Sequence, residues 1–130
     1  MIVVDASAVV EIILNSETGW AARKRLTAPP QPCCAPQLMD LEVMHVLRRS
    51  LLSGLLTLAR AEEALADLRA FRIKRCSHLP LLPRIWELRH NFSAYDAAYV
   101  ALAEEFSATL LTCDARLASA SGHRARIEVV

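Results

Sequence analysis

Asp5 closes the apolar run Ile2-Val3-Val4, and Asp114 follows the run Leu110-Leu111-Thr112-Cys113. Glu42 and Asp96 stand inside segments that otherwise read as buried helix. Carboxylates gathered from such distant points of a chain repel one another. Two like charges about 4 Å apart cost on the order of 4 kcal/mol at an effective dielectric of 20. A fold that collects four must protonate some of them or hold a cation. An all-oxygen donor set suits a hard ion, Mg²⁺ or Mn²⁺ rather than Zn²⁺. Such an ion lowers the pKa of a bound water and shields phosphate oxygens during in-line attack.

Each acid also has a plainer reading. Asp5 and Asp114 precede predicted helices, where Asp is a favoured N-cap. Ser93-Ala94-Tyr95-Asp96 fits a capping box, yet the helix-face neighbours of Asp96 are Tyr99, Val100 and Ala103. The exposed end of that helix is better supplied by Glu104 and Glu105. Glu42 has Leu38, Met39, His45 and Val46 at helical spacing, poor company for a solvated acid. Asp40, on another side, fits that role better.

The elements that must position these acids alternate between strand and helix. Residues 1–5 read as a short buried strand, 6–15 as a helix, and 16–26 as a second helix opened by Ser16. Ala28-Pro29-Pro30-Gln31-Pro32 is a stiff connector. A strand is expected over 33–35, with Pro36 at the next helix start. Helices follow over 37–53 and 57–70. Phe71 to Arg75 alternates like a strand with one wet face. Pro80 and Pro83 frame a turn before a helix through Trp86 to about His90. Then come a helix over 93–105, a strand over 109–113, a short helix to about Ser121 and a strand over 127–130. Strands apolar on both faces, alternating with helices, imply an α/β three-layer sandwich with a central parallel sheet of four to five strands. No repeat or composition shift divides the chain, so a single domain is expected over residues 1–130. In such sheets ligands bind beyond the carboxyl ends of the strands, where Asp5 and Asp114 fall.

Composition excludes several function classes. The formal charge is +1, so no global field draws the chain to nucleic acid or membrane. Local basic groups remain: Arg23-Lys24-Arg25, Arg48-Arg49, and Arg69, Arg72, Lys74 and Arg75, which serve either RNA phosphates or solvated helix ends. Cys33, Cys34, Cys76 and Cys113 lack C-x-x-C spacing and read as reduced thiols of a cytoplasmic protein. Asp5 interrupts the first apolar stretch, so no signal peptide is expected. No apolar run reaches the roughly 20 residues of a membrane span. Hydrophobic residues make up 54% of the chain, with aromatics only 5%. That excess of Ala, Leu and Val predicts either alanine-covered helix surfaces or an apolar face around Trp20, Leu51, Leu52 and Leu55 for a partner or second copy.

Competing motifs are thin. Glu42-x-x-His45 lacks the second copy a di-iron carboxylate bundle needs, so His45 is expected to pack within its helix. His78, His90 and His123 show no metal spacing, and three glycines make no phosphate cradle. Cys113 has no paired His nearby in sequence and reads as packing.

Taken in order, Val4-Asp5-Ala6-Ser7-Ala8, Pro36-Gln37-Leu38 through Glu42, Ser93-Ala94-Tyr95-Asp96-Ala97, and Leu111-Thr112-Cys113-Asp114-Ala115-Arg116-Leu117 resemble the PIN-domain ribonucleases, and most closely the VapC toxins of toxin–antitoxin pairs. The resemblance spans nearly the whole chain. It implies Mg²⁺-dependent cleavage of RNA phosphodiesters, with Mn²⁺ as the alternative ion. It implies a metal site of Asp5, Glu42, Asp96 and Asp114, a cognate VapB-like antitoxin and a homodimer. Ser7 matches a polar position that supports the metal or its water, and Thr112 matches the family's Thr before the last acid. Arg116 stands where some PIN nucleases carry a further acid, which leaves one metal better supported than two. Arg116 either touches a phosphate or is solvated. Two other functions remain open from the residues: a non-catalytic α/β binding module whose acids cap helices, and a phosphoryl-transfer enzyme with Asp5 as nucleophile. The latter is weakened by Ser7, where a haloacid-dehalogenase-like enzyme expects a second Asp, and by having only Lys24 and Lys74.

Overall fold

The computed structural model describes residues 1–130. The chain begins in the middle of its own sheet. Strand β1 (Ile2–Val4) pairs in parallel with β2 (Cys33–Pro36) on one side and with β4 (Thr109–Thr112) on the other. β3 (Lys74–Cys76) extends the sheet beyond β2, and β5 (Arg126–Val129) extends it beyond β4, giving the order β3-β2-β1-β4-β5. All five strands run parallel, as the alternation of strands with helices predicts. Ile2, Val3 and Val4 have no exposed surface, so both faces of the central strand are covered. Burying one such side chain contributes about 1.5–3 kcal/mol.

Seven α-helices surround the sheet: α1 (Ala6–Ile13), α2 (Glu17–Thr27), α3 (Leu38–Leu52), α4 (Leu58–Ala70), α5 (Leu82–Glu87), α6 (Ala94–Glu105) and α7 (Ala115–Ser119). α1 is buried on most of its surface, because α2, α3 and α4 all pack against it. It ends with Asn15 in the left-handed conformation, and Ser16 N–H returns to the Glu11 carbonyl in a Schellman turn. Ser16 then caps α2 by accepting from Gly19 N–H at 2.9 Å. A Cβ at Gly19 would collide with the Glu11 carbonyl, so glycine is what lets α2 lie this close to α1. α6 lies against β1, β2 and β4, with Ala97 to Ala103 all buried.

Four local expectations shift. Pro36 ends β2 rather than opening the helix, which starts at Leu38. The strand expected over 71–75 starts three residues later, at Lys74, and ends at Cys76. Phe71 is the C-cap of α4, and the Arg75 guanidinium turns back to the carbonyls of Leu68, Phe71 and Ile73. The Pro80–Pro83 segment is a 3₁₀ turn (Leu79–Leu81) running into α5, which stops at Glu87 instead of reaching His90. His45 is exposed rather than packed, since Met39, Val43 and Leu47 form the buried face of α3 and position 45 falls opposite it.

The four cysteines are free thiols. Burial, aided by the neighbouring Cys76, pushes the Cys34 thiol up to about 11, which makes it inert packing. Trp20, Leu52 and Leu55 are strongly exposed, and Leu51 is half-buried. No helix is long and apolar enough to cross a membrane.

Candidate active site

The strand order reverses between β1 and β4: the chain walks outward from β1 through β2 to β3, then returns to the other flank of β1. Such a switch point leaves a crevice at the carboxyl ends of the two strands. Val4 is in register with Leu111, which sets Asp5 beside Thr112 at that crevice.

Asp5 occupies the N-cap position of α1, yet its side chain makes no capping bond. The carboxylate, only 6% exposed, turns across the sheet instead. Its Oδ2 accepts from Ser7 Oγ at 2.6 Å and from Thr112 Oγ1 at 2.8 Å. The two hydroxyls are themselves anchored, because Ser7 Oγ accepts from Cys113 N–H and Thr112 Oγ1 from Asp114 N–H, both at 3.0 Å. Ser7 and Thr112 therefore orient Asp5, and the capping account fails for this acid.

Glu42 is half-buried on α3, and its Oε1 accepts from the Tyr99 hydroxyl of α6 at 3.0 Å. Burial pushes its carboxyl up to about 7; the Asp5 and Asp96 charges add to that, and the Tyr99 hydrogen bond works against it. Asp96 sits in the first turn of α6, where its N–H donates to the Ser93 cap at 3.1 Å. The cap is real, but the carboxyl is raised above its ordinary value. Burial is the main cause, opposed by the Ser93 hydroxyl and reinforced by the charges of Asp5 and Asp114.

Asp114 differs from the other three. It caps α7 by accepting from Arg116 N–H at 2.9 Å, as the plainer reading of the sequence had it. Both carboxylate oxygens also face the Arg116 guanidinium, Nη2 donating to Oδ2 at 2.7 Å and Nε to Oδ1 at 3.0 Å. That pairing holds the Asp114 carboxyl below its usual value. Arg116 itself is 90% exposed in its side chain, so the pair is held at the surface.

The structure thus brings Asp5, Glu42 and Asp96 within mutual electrostatic reach, with Asp96 also feeling Asp114. No three of these side chains converge tightly enough to ligate one ion as they stand. The donor set nonetheless fits a hard dication. Every donor is oxygen, and Asp5, Glu42 and Asp96 take part in no salt bridge that would cancel their repulsion.

Residues 2–122 match the PIN domain family. The chain belongs to the PIN-domain family, among the VapC ribonucleases. Ribonuclease VapC12 of Mycobacterium tuberculosis is 36% identical over 130 residues, covering 100% of this chain and 99% of the relative. Ribonuclease VapC9 of the same organism is 40% identical over 130 residues, covering 100% and 98%. The fold of this PIN domain also resembles a chain in the crystal structure of VapBC2 from Rickettsia felis bound to a DNA fragment from their promoter, with TM-score 0.72 at 15% identity and coverage of 99% and 98%. The parallel sheet flanked by helices is therefore the one the resemblance implied.

Beside Asp96 and Asp114 opens a cavity of about 300 Å³ whose lining also includes Arg89, His90, Asn91, Ser93 and Arg116. Three of the nine basic residues singled out in the sequence are engaged elsewhere, Arg23 with the Ile12 carbonyl at 3.3 Å and two more in ion pairs. Arg25 pairs with Glu128 at 2.8 Å and Arg75 with Asp40 at 2.9 Å. Sequence reasoning overlooked Arg89 and the hydroxyl of Tyr99. For Tyr99 a signal existed, because a tyrosine on a buried helix face needs a partner for its hydroxyl.

Proposed function

We propose that this PIN domain, as a single domain over residues 1–130, is a metal-dependent endoribonuclease toxin that hydrolyses RNA phosphodiester bonds and is neutralised by a VapB-like antitoxin. The observation that carries the reading is the cluster of Asp5, Glu42 and Asp96, none of which is paired in a salt bridge, with only the charge of Arg116 at Asp96 working against their repulsion. Asp5, Glu42 and Asp96 would hold a Mg²⁺ or Mn²⁺ ion, and Asp114 would join them only on giving up its pair with Arg116. A bound dication supplies an acidified water and positive charge for the phosphate. Ser7 and Thr112 keep Asp5 Oδ2 hydrogen-bonded, leaving Oδ1 without a protein partner. Glu42 carries a proton for part of the time near pH 7, held at Oε2 because Oε1 accepts from Tyr99. A bound dication would compete with that proton for the Glu42 carboxylate.

The antitoxin and a second copy each need an apolar face. α3 and α4 enclose an apolar groove of about 210 Å³ lined by Met44, Leu47, Leu51, Leu58, Ala61 and Leu65. Such a groove suits an amphipathic helix, and it supports the antitoxin reading.

The test is cleavage of total RNA by purified protein in Mg²⁺ or Mn²⁺, with the ends mapped by sequencing. Discrete ends that vanish in Asp5→Asn are expected. Intact RNA with active-metal titration, and a melting temperature flat across millimolar metal, favour the module whose acids only cap helices.

A further inference from the structure

Three polar residues of the segment after α5 are pinned outward. Leu88 and Phe92 are buried at either end, 1% and 8% exposed, and Phe92 packs edge-on against the His123 ring. Between them Arg89, His90 and Asn91 are exposed and line the same cavity as Asp96 and Asp114. Arg89 is the unusual member. Its guanidinium lies over the Trp86 ring, 4.8 Å from the centroid, and its Nη1 donates to the Trp86 carbonyl at 2.9 Å. It takes part in no salt bridge, unlike Arg84 of the preceding helix and Arg116 of the same cavity. Trp86 in turn is 68% exposed. A cation held on an exposed ring, in the lining of the cavity that Asp96 and Asp114 share and with no carboxylate of its own, is free to take an anion that arrives from outside.

We propose that Arg89, positioned by Trp86, takes a backbone phosphate of single-stranded RNA and so fixes the path of the strand past Asp96. The proposal rests on the ribonuclease reading above and deepens it. A phosphate diester offers Arg89 the charge-assisted partner it lacks. The exposed indole beside it offers an unpaired base a stacking surface, a feature of single-strand rather than duplex binding. The stacked guanidinium loses little freedom when the phosphate arrives, which is what distinguishes this arginine from a freely moving surface cation.

The experiment uses the full chain with Asp96→Asn, so that the strand stays intact, and follows the anisotropy of a fluorescent single-stranded oligoribonucleotide of mixed sequence. Adding Arg89→Gln is expected to weaken binding roughly tenfold. It also lowers the slope of log affinity against log salt by about 0.7, one phosphate on a single strand. Arg89→Lys restores the slope. Trp86→Leu weakens binding by a smaller factor, and by less again once Arg89→Gln is present, because part of its effect runs through that arginine. With Asp96 in place, Arg89→Gln raises KM and keeps kcat. Unchanged affinity and slope in Arg89→Gln overturn the proposal. So does a Trp86→Leu loss that is the same with and without Arg89, or a Trp86→Leu change confined to oligomeric mass by light scattering. An unaltered chain that cuts no RNA sinks the ribonuclease reading and the phosphate contact together. A chain that cuts RNA equally well with Arg89→Gln sinks the contact alone.

Discussion

Tyr99 of α6 donates its hydroxyl proton to Glu42 of α3 across 3.0 Å, and this bond joins two helices that are 57 positions apart in the chain. Tyr99 is fully buried, so its hydroxyl has a single protein acceptor and Glu42 has a fixed one of two oxygens. The bond favours the charged carboxylate. Tyr99→Phe removes it while filling the same space. Glu42 then holds its proton to higher pH, and metal-supported cleavage at pH 7 is expected to fall by up to about tenfold. The loss recovers in alkaline buffer. A profile of kcat/KM against pH checks this; a uniform loss at every pH would show that Tyr99 does not act through the Glu42 proton.

Metal-free stability is expected to fall as pH rises through the neutral range. Glu42 titrates at about 7 in the fold against an ordinary value of 4.5, and Asp96 is raised in the same sense. Between those values the folded chain holds more protons than the unfolded one, so the stabilisation is complete below 4.5 and is lost as pH climbs through about 7. Allowing for the solvent that reaches Glu42, the loss is about 1–2 kcal/mol. Thermal melts in a chelator across this range measure it. Millimolar Mg²⁺ should cancel the fall, and an unchanged slope with metal would argue against carboxylates that share an ion.

Asp96→Asn is expected to abolish RNA cleavage and leave the fold intact. Ser93 accepts from the backbone N–H of residue 96, so the cap survives the change. Removing one charge from a half-buried cluster relieves repulsion with Asp5 and Asp114. The melting temperature in chelator rises by a few degrees, about 0.5–1 kcal/mol. Retained cleavage by this variant, free of contaminating nuclease, would remove Asp96 from the chemistry.

At the opposite end of α6, Glu104 is a structural acid. Its side chain is 6% exposed and accepts from Arg84 Nε at 2.7 Å, from Arg84 Nη2 at 3.0 Å and from Arg124 N–H at 2.7 Å. It ties α5 and the approach to β5 onto α6. Glu104→Gln leaves Arg84 short of a counter-charge and costs about 2–3 kcal/mol, read in urea melts at pH 7. Arg84 holds the Glu104 carboxyl below its ordinary value, so this contribution is present above the ordinary carboxylate range and lost as pH falls through the lowered value. The gap between variant and parent should therefore close in acid.

Much of the architecture was legible because its signals are local. Val-Val ahead of Asp5, Ser16 and Ser93 as caps, and the apolar faces of α3 and α6 depend on residues a few positions apart. The misplaced strand after α4 shows the limit. Alternation suggested Phe71 to Arg75, but Arg75 is drawn back to the carbonyls of Leu68, Phe71 and Ile73 and to Asp40, contacts that no periodicity encodes. The resemblance in four short motifs carried the family, which full-length relatives then showed.

From the sequence alone came the four acids, their placement at strand ends and on helix faces, and the hard-cation chemistry of their oxygens. Tertiary structure alone decided what Asp5, Glu42 and Asp96 do beyond capping, whereas the cap and the ion pair of Asp114 are local. Asp5 turns from its cap toward Thr112 because β1 and β4 pair in register, and Asp114 is taken by Arg116 two residues on. Glu42 gains its proton affinity by burial and by neighbours brought in from other elements. Residue types and spacing set which bonds a chain can make; the desolvation and repulsion that tune a carboxylate exist only once distant segments share one crevice.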